Sequence, residues 1–294
     1  QHHTFPSYRE HVVCTTRGVD PVDIIRLMRG NTHGGWNPFD PASGNTHLYT
    51  LVLGAQALHA TGLAMGIAFD GRSGSGDPER DEAVIVYHGA GASSEGDVHE
   101  AMVFAASCNA PEVFFLQNIQ WAISVPVATQ AKVPLYRRAD GYGIPGTQID
   151  GNDVLASFAA TRAALDSARA GEGPQFIEAV TYRMGAHTTS DDPTKYRRRE
   201  EEQQWGERDP IARFRACLSG RGASERFFAE VDEAAKDYAN DTRVRTLALQ
   251  APDAETMFAH VYSEPHPRID EQREWRRQYE ATFDVAAAET GASE

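Results

Sequence analysis

Six residues, Ala83-Val84-Ile85-Val86-Tyr87-His88, form an apolar, β-branched run that ends abruptly in Gly89-Ala90-Gly91-Ala92. A strand that is apolar at consecutive positions needs cover on both faces, the condition of a strand inside a parallel sheet. Ser93-Ser94-Glu95-Gly96-Asp97 follows, offering a serine cap and early acidic residues, so a helix is predicted from here to about Cys108. Strand, glycine turn and helix N-terminus together make a seat for an anion. The glycines let a ligand approach the backbone, and the helix start supplies unpaired N–H groups. Taken alone, Gly89-x-Gly91 is explained as well by a structural tight turn.

The same alternation continues along the chain. Glu112 to Gln117 and Gln175 to Thr181 read as further strands, and Val154 to Ala170 has helical spacing. Leu51 to Ala68 is dominated by small and apolar residues and suits a closely packed buried helix. Short connections between such elements predict an α/β protein, a doubly wound parallel sheet with helices on both faces and ligands beyond the carboxyl ends of the strands. Asp20 is placed to cap a short helix of Val22 to Met28, with Pro21 at its first position. Thr32 to Asn45 lacks periodicity and reads as a long loop, and Gly71 to Asp81 as a polar turn region. Arg197 to Gln204 reads as a solvated helix face. Phe227 to Asp237 and Arg268 to Phe283 read as amphipathic helices closing a C-terminal extension. One domain over 1–294 is expected, with a core at about 48–185 and C-terminal helices at about 198–284.

A net charge of −14 argues against a nucleic-acid footprint and against attachment to an anionic membrane surface. No apolar run approaches the roughly 20 residues that span a bilayer. Cys14, Cys108 and Cys217 are far apart and make neither a disulfide framework nor a CxxC knuckle, so a reducing compartment, the cytoplasm, is expected. The chain opens on Gln1 and reads as starting mid-protein, with an upstream segment expected.

Longer motifs stand in order around the glycine turn: Gly91-Ala-Ser-Ser-Glu-Gly-Asp-Val-His-Glu100, Phe114-Phe-Leu-Gln-Asn118, Trp121-Ala-Ile-Ser124 and Ala139-Asp-Gly-Tyr-Gly-Ile-Pro-Gly146. Asp150-Gly-Asn-Asp-Val154 and Thr181-Tyr-Arg-Met-Gly-Ala-His-Thr-Thr-Ser-Asp-Asp-Pro193 follow, and Pro6-Ser-Tyr-Arg-Glu10, Thr32-His-Gly-Gly-Trp36 and Phe258-x-x-Val-Tyr262 extend the pattern. Over nearly its entire length the chain resembles the α subunit of thiamine-diphosphate-dependent 2-oxo acid dehydrogenases of the pyruvate and branched-chain type, the E1 component.

The resemblance implies the thiamine-diphosphate-binding fold and an α2β2 heterotetramer with an E1 β-type subunit, active only in that assembly. Thiamine diphosphate would lie between the two chains, with Mg²⁺ and diphosphate gripped by the α chain. By position, Tyr8 and Arg9 would meet the diphosphate, and Leu51 and Leu53 would present backbone groups to the aminopyrimidine. Gly89, Gly91 and Ala92 would line the diphosphate, Gln117 and Asn118 would stand beside it, and Trp121 would offer its carbonyl to the metal. Arg183 and His187 fall on a mobile loop where His187 would stabilise intermediates and assist transfer to a lipoyl carrier. Asp191, Tyr196 and Arg197 match residues that hold this loop, and Thr188 a position that some relatives phosphorylate.

Two departures matter. The family's Gly-Asp-Gly, or Gly-Glu-Gly, has Ala90 in the middle here, and its Asn-Asn pair is Asn118-Ile119. Both lost side chains are metal ligands, and Mg²⁺ demands oxygen donors in near-octahedral geometry. No metal ligand remains at these positions, so Mg²⁺ is not expected to be held in the usual way, and thiamine diphosphate loses its anchor. His88, beside the lost carboxylate, is a candidate phosphate ligand or acid/base group, or a histidine satisfied by backbone. His33 and His59 read as structural and His99 as a helix-surface residue; Glu95 and Asp97 read as helix N-terminal acids. The Trp36 loop is expected to pack against a partner subunit. Three readings stay open: an E1 α subunit with altered metal coordination, an E1-like subunit acting without thiamine on another anionic substrate, and a non-catalytic partner. The sequence names neither the substrate nor the acyl acceptor.

Overall fold

The three strands read from the sequence lie side by side in one sheet. The computed structural model describes residues 2–30 and 35–291, with 284–291 as backbone alone. Thr32, His33 and Gly34, including the reading of His33 as structural, lie outside the described residues. The strands are β1 (His2–Phe5), β2 (Ala83–Gly89), β3 (Glu112–Asn118), β4 (Trp121–Ala122), β5 (Val125–Pro126), β6 (Gly146–Asp150) and β7 (Gln175–Val180). The main sheet has the order β1-β2-β3-β7-β6 and is parallel throughout, while β4 and β5 form a small antiparallel pair.

Helices cover both faces, as the alternation predicts. Near the N-terminus lie α1 (His11–Thr16) and α2 (Pro21–Met28), where the Asp20 carboxylate caps the Val22 N–H at 2.8 Å. On one face, Val84 and Val86 of β2 pack with Phe114, Leu116 and Phe176 against α3 (Ala55–Phe69) and α4 (Gly96–Ser107). After the short α5 (Val127–Gln130), α6 (Val154–Arg169) covers Ala83, Ile85, Val113, Phe115 and Ile177 on the other face. Two-sided burial explains why these strands are apolar at consecutive positions.

Two expected elements are corrected. α3 begins at Ala55, not Leu51, because Gly54 adopts φ +84°, a left-handed conformation that ends helical continuity. A side chain at Gly54 would also meet Val98 Cγ2 at 3.3 Å. Only one face of α3 is buried, through Ala57, Ala60, Ala64 and Ile67, while Leu58, His59 and Phe69 are exposed. Nor does a serine cap α4. A 3-10 turn, Ala92–Ser94, intervenes, and the Ser93 hydroxyl donates to the Ala90 carbonyl at 2.6 Å instead. Glu95 occupies the cap position without a side-chain bond.

The C-terminal part is helical: α7 (Arg199–Gly206), α8 (Pro210–Gly220), α9 (Glu225–Leu247) and α10 (Pro267–Gly291). α9 returns to α2, where Arg29 donates to the Thr246 carbonyl at 2.6 Å and Arg245 pairs with Asp20. Arg197, read as part of a solvated face, is only 7% exposed, because two loop carbonyls draw its guanidinium inward. The Trp36 indole donates to Thr46 O at 2.8 Å and packs on Cys14, Val19 and Ile24 of its own chain. Among the described residues no helix is long and apolar enough to cross a membrane.

Candidate functional site

Beyond the carboxyl ends of β2 and β3 opens a cleft of about 360 Å³. Its floor is the turn Gly89 to Ala92, continuous with β2. The turn must be narrow: a Cβ on Gly91 would stand 3.1 Å from Cβ of Ala122 on β4. Val52, Leu53 and Ile119 form apolar walls with Trp121, Ile123 and Val125 of the hairpin. Tyr8, Gln56, Glu95, Gln130 and His187 supply the polar lining. Ile123 adopts φ +53°, a left-handed conformation that is costly for a β-branched residue and frequent where function constrains the backbone.

The positions that the resemblance gives to metal ligands are both in this lining. Ala90 presents a methyl group, itself 1% exposed and part of the core, and Ile119 presents a hydrocarbon wall. The Trp121 carbonyl, the remaining implied ligand, accepts from Arg183 Nη1 at 3.3 Å. Among the described residues no group of three or more His, Cys, Asp or Glu side chains is arranged to hold a metal. A hard dication needs several oxygen ligands, and this donor set does not fit one.

One rim of the cleft is the loop after β7. Arg183, 7% exposed, bridges this loop to the hairpin, donating to Ile123 O and to the Tyr196 hydroxyl, both at 2.8 Å. Tyr196 in turn donates to Asp191 Oδ2 at 2.6 Å, and the same oxygen accepts the His187 N–H at 2.7 Å. Arg197 ties down the loop base through the carbonyls of Arg183 and Met184. Donation by Tyr196 and His187 holds the Asp191 carboxyl below its ordinary range. The His187 ring stands 2.9 Å from Arg9 Nη2 through Nδ1. A guanidinium can only donate, so Nδ1 accepts and the ring proton lies on Nε2. Desolvation, and then the charges of Arg9 and Arg183, push the His187 pKa below the usual histidine value.

Other candidates lie elsewhere. His88 shares the strand parity of Val84 and Val86, so it points into the core. It is 0% exposed and edge-on to Phe176 at 6.0 Å, and among the described residues neither ring nitrogen has a hydrogen-bond partner. Burial pushes its pKa down to about 4, helped by the charge of Arg138. Asn118 turns its amide to Glu178 at 2.7 Å, beneath the cleft. Gln117 lines a separate groove of about 980 Å³ on the α6 face. Leu51 is exposed, while Leu53 reaches the cleft wall. His99 sits on α4 with Nδ1 2.7 Å from the Tyr142 hydroxyl.

Two cleft residues went unnoticed in the sequence. Gln56, 6% exposed, donates to Tyr87 O at 2.8 Å from the first turn of α3. Gln130, at the end of α5, has a buried Nε2 with no hydrogen-bond partner among the described residues. The glutamine at 56 lies four residues from Ala60 on the buried face, a periodic signal that marks it as inward; nothing local marks Gln130.

Comparison with known proteins agrees with the fold. The family described as the dehydrogenase E1 component matches residues 1–250. The chain is similar to the 3-methyl-2-oxobutanoate dehydrogenase subunit alpha of Mycobacterium tuberculosis, 42% identical over 275 residues, covering 93% of this chain and 72% of that one. Similarity to the pyruvate dehydrogenase E1 component subunit alpha of Acholeplasma laidlawii is 38% over 280 residues, 93% of this chain and 77% of the relative. For the Staphylococcus aureus subunit of the same name the values are 37% over 253 residues, 82% and 65%.

Proposed function

The chain belongs to the dehydrogenase E1 component family, as an α-type subunit of a 2-oxo acid dehydrogenase, and from that premise we propose that its cleft works without the family's Mg²⁺–diphosphate anchor. One observation carries this reading. The implied ligand side chains are a methyl at Ala90 and a hydrocarbon at Ile119, and the implied carbonyl ligand at Trp121 already accepts from Arg183. The subunit would act beside an E1 β-type partner, in an α2β2 assembly, on a 2-oxo acid or another anionic substrate.

Within that reading, His187 and Arg9 act as a pair at the rim. Arg9 fixes the imidazole tautomer and leaves the ring proton on Nε2 as a donor. The Asp191–Tyr196–Arg183 chain fixes where the imidazole stands. His187 is the group placed to give or take a proton, and transfer of an acyl group to a lipoyl or other carrier would pass this rim.

The test is calorimetry of the complex co-expressed with its β-type partner, titrated with thiamine diphosphate with and without Mg²⁺. The expected result is no Mg²⁺-dependent binding in the wild type, and its appearance in the Ala90→Asp, Ile119→Asn double variant. Tight, Mg²⁺-dependent binding by the unmodified complex would overturn the proposal.

A further inference from the structure

The hairpin that walls the cleft is too small to hold its own shape. β4 and β5 pair only Trp121 with Pro126 and Ala122 with Val125, and a lone short hairpin is at best marginally stable in water. Its place has to be imposed from outside. Arg183 does this for the backbone, through the carbonyls of Trp121 and Ile123. The Trp121 side chain, 8% exposed, has a separate anchor: its indole N–H donates to Glu201 Oε1 at 3.0 Å.

Glu201 lies outside the cleft lining, in the first turn of α7 and within the segment that the sequence presents as a solvated face. Glu201 and Trp205 are four residues apart, so they share one side of that helix. Trp205 stacks on Tyr182 with centroids 5.3 Å apart, and Arg197 donates from Nε to Glu202 at 2.5 Å. These contacts seat α7 beside the end of β7 and hold the Glu201 carboxylate where the indole meets it. The Trp121 ring also lies 5.4 Å from that of Tyr196, the link between Arg183 and Asp191. A charged acceptor makes the stronger class of hydrogen bond, and a buried N–H that loses one is costly to leave unpaired.

We propose that Glu201 is a positioning residue for the cleft: from outside the lining it fixes the Trp121 indole, and so ties the wall that Trp121 forms to the loop that carries His187. The role is the same whether the cleft takes a metal or not.

The test labels the full chain with ¹⁵N-tryptophan and ¹⁵N-histidine. Hydrogen exchange is followed by NMR at the Trp121 indole and the His187 amide, with Trp121→Phe identifying its signal among the four indoles. Glu201→Leu should speed indole exchange at least about tenfold, through loss of one charge-assisted bond. Glu201→Gln keeps an acceptor oxygen and should restore it to within about threefold of wild type. The Trp205 indole reports whether α7 stays seated, and its signal should hold in both variants. Glu201→Leu should also speed exchange at His187, and in a Trp121→Phe background that second effect should vanish, because it passes through the indole N–H. Several outcomes overturn the assignment: indole exchange within about threefold of wild type in the Leu variant, no rescue by Gln, or a His187 response that is absent or survives Trp121→Phe. A Trp205 signal that moves as well would make Glu201 a seat for α7 alone and overturn it too.

Discussion

Replacing Arg183 by Met should open the loop that carries His187 while leaving the sheet intact. The guanidinium makes two short bonds, to Ile123 O and Tyr196 Oη at 2.8 Å, and two long ones, to Trp121 O and Gly185 O at 3.3 Å. Only the short pair is counted. A hydrogen bond involving a charged group is worth about 1.5–3 kcal/mol net, so the pair contributes roughly 3–6 kcal/mol. Ordering a long side chain offsets up to about 2 kcal/mol of that, which leaves a loss near 3 kcal/mol. Arg197 still holds the carbonyls of residues 183 and 184, so the effect should stop at the loop base.

The reporter is the His187 amide, which donates to Asp191 Oδ2 at 2.7 Å only while the loop is closed. At about 1.4 kcal/mol per decade, a loss near 3 kcal/mol accelerates its hydrogen exchange roughly a hundredfold. Amides of β3, such as Phe115, should exchange unchanged, because local opening leaves the core folded. Arg183→Lys keeps the charge on a single nitrogen and should fall between the two. Less than a threefold change at His187 in the Met variant would refute the reasoning, showing that water replaces the guanidinium without loss.

Three further outcomes follow from buried or strained groups. The His88 pKa is about 4 folded against about 6.5 unfolded, so the unfolded chain binds more protons between those values and stability falls as pH drops through them. Wild type should lose about 3 kcal/mol from pH 6.5 to 4 that His88→Leu does not, read from urea midpoints; equal losses in both would refute the assignment. Glu112 is fully buried with Thr61 as its bonded partner, and desolvation raises its pKa well above the usual carboxylate value. The resulting penalty grows as pH rises above the unfolded pKa. Glu112→Gln should therefore raise the melting temperature at pH 7 and leave it unchanged at pH 4. Ile123→Gly should relieve left-handed strain of about 1–3 kcal/mol against an unfolded-state entropy cost of about 0.4–1 kcal/mol. A net gain of about 1 kcal/mol in thermal unfolding is expected, and a net loss would show that the 53%-exposed side chain contributes packing.

What could be read in the sequence was what local physics decides. β2 and the middle of β3 are covered on both faces and so write consecutive apolar residues, β7 does so on either side of Glu178, and Asp20-Pro21 states a helix start in two residues. β1 and β6 lie at the sheet edges; β6 is short, begins at Gly146 and carries polar side chains, so its partners alone make it a strand. Parity along β2 was the neglected signal at His88, since Val84 and Val86 set its direction. Arg197 shows the converse limit. Its neighbours are charged and solvated, and only the arrival of two carbonyls from residues 183 and 184 makes it a buried clamp.

The hydrogen-bond chain that holds His187 closes on the protein's own groups, from Trp121 O through Arg183, Tyr196 and Asp191 to the loop backbone. None of these bonds needs a ligand oxygen. The protein's own groups are therefore enough to hold the loop where it stands. Neither Ala90 nor Ile119 takes part through its side chain in these bonds or in the contact of Arg9 with His187, so the placement of that pair does not rest on the side chains at positions 90 and 119.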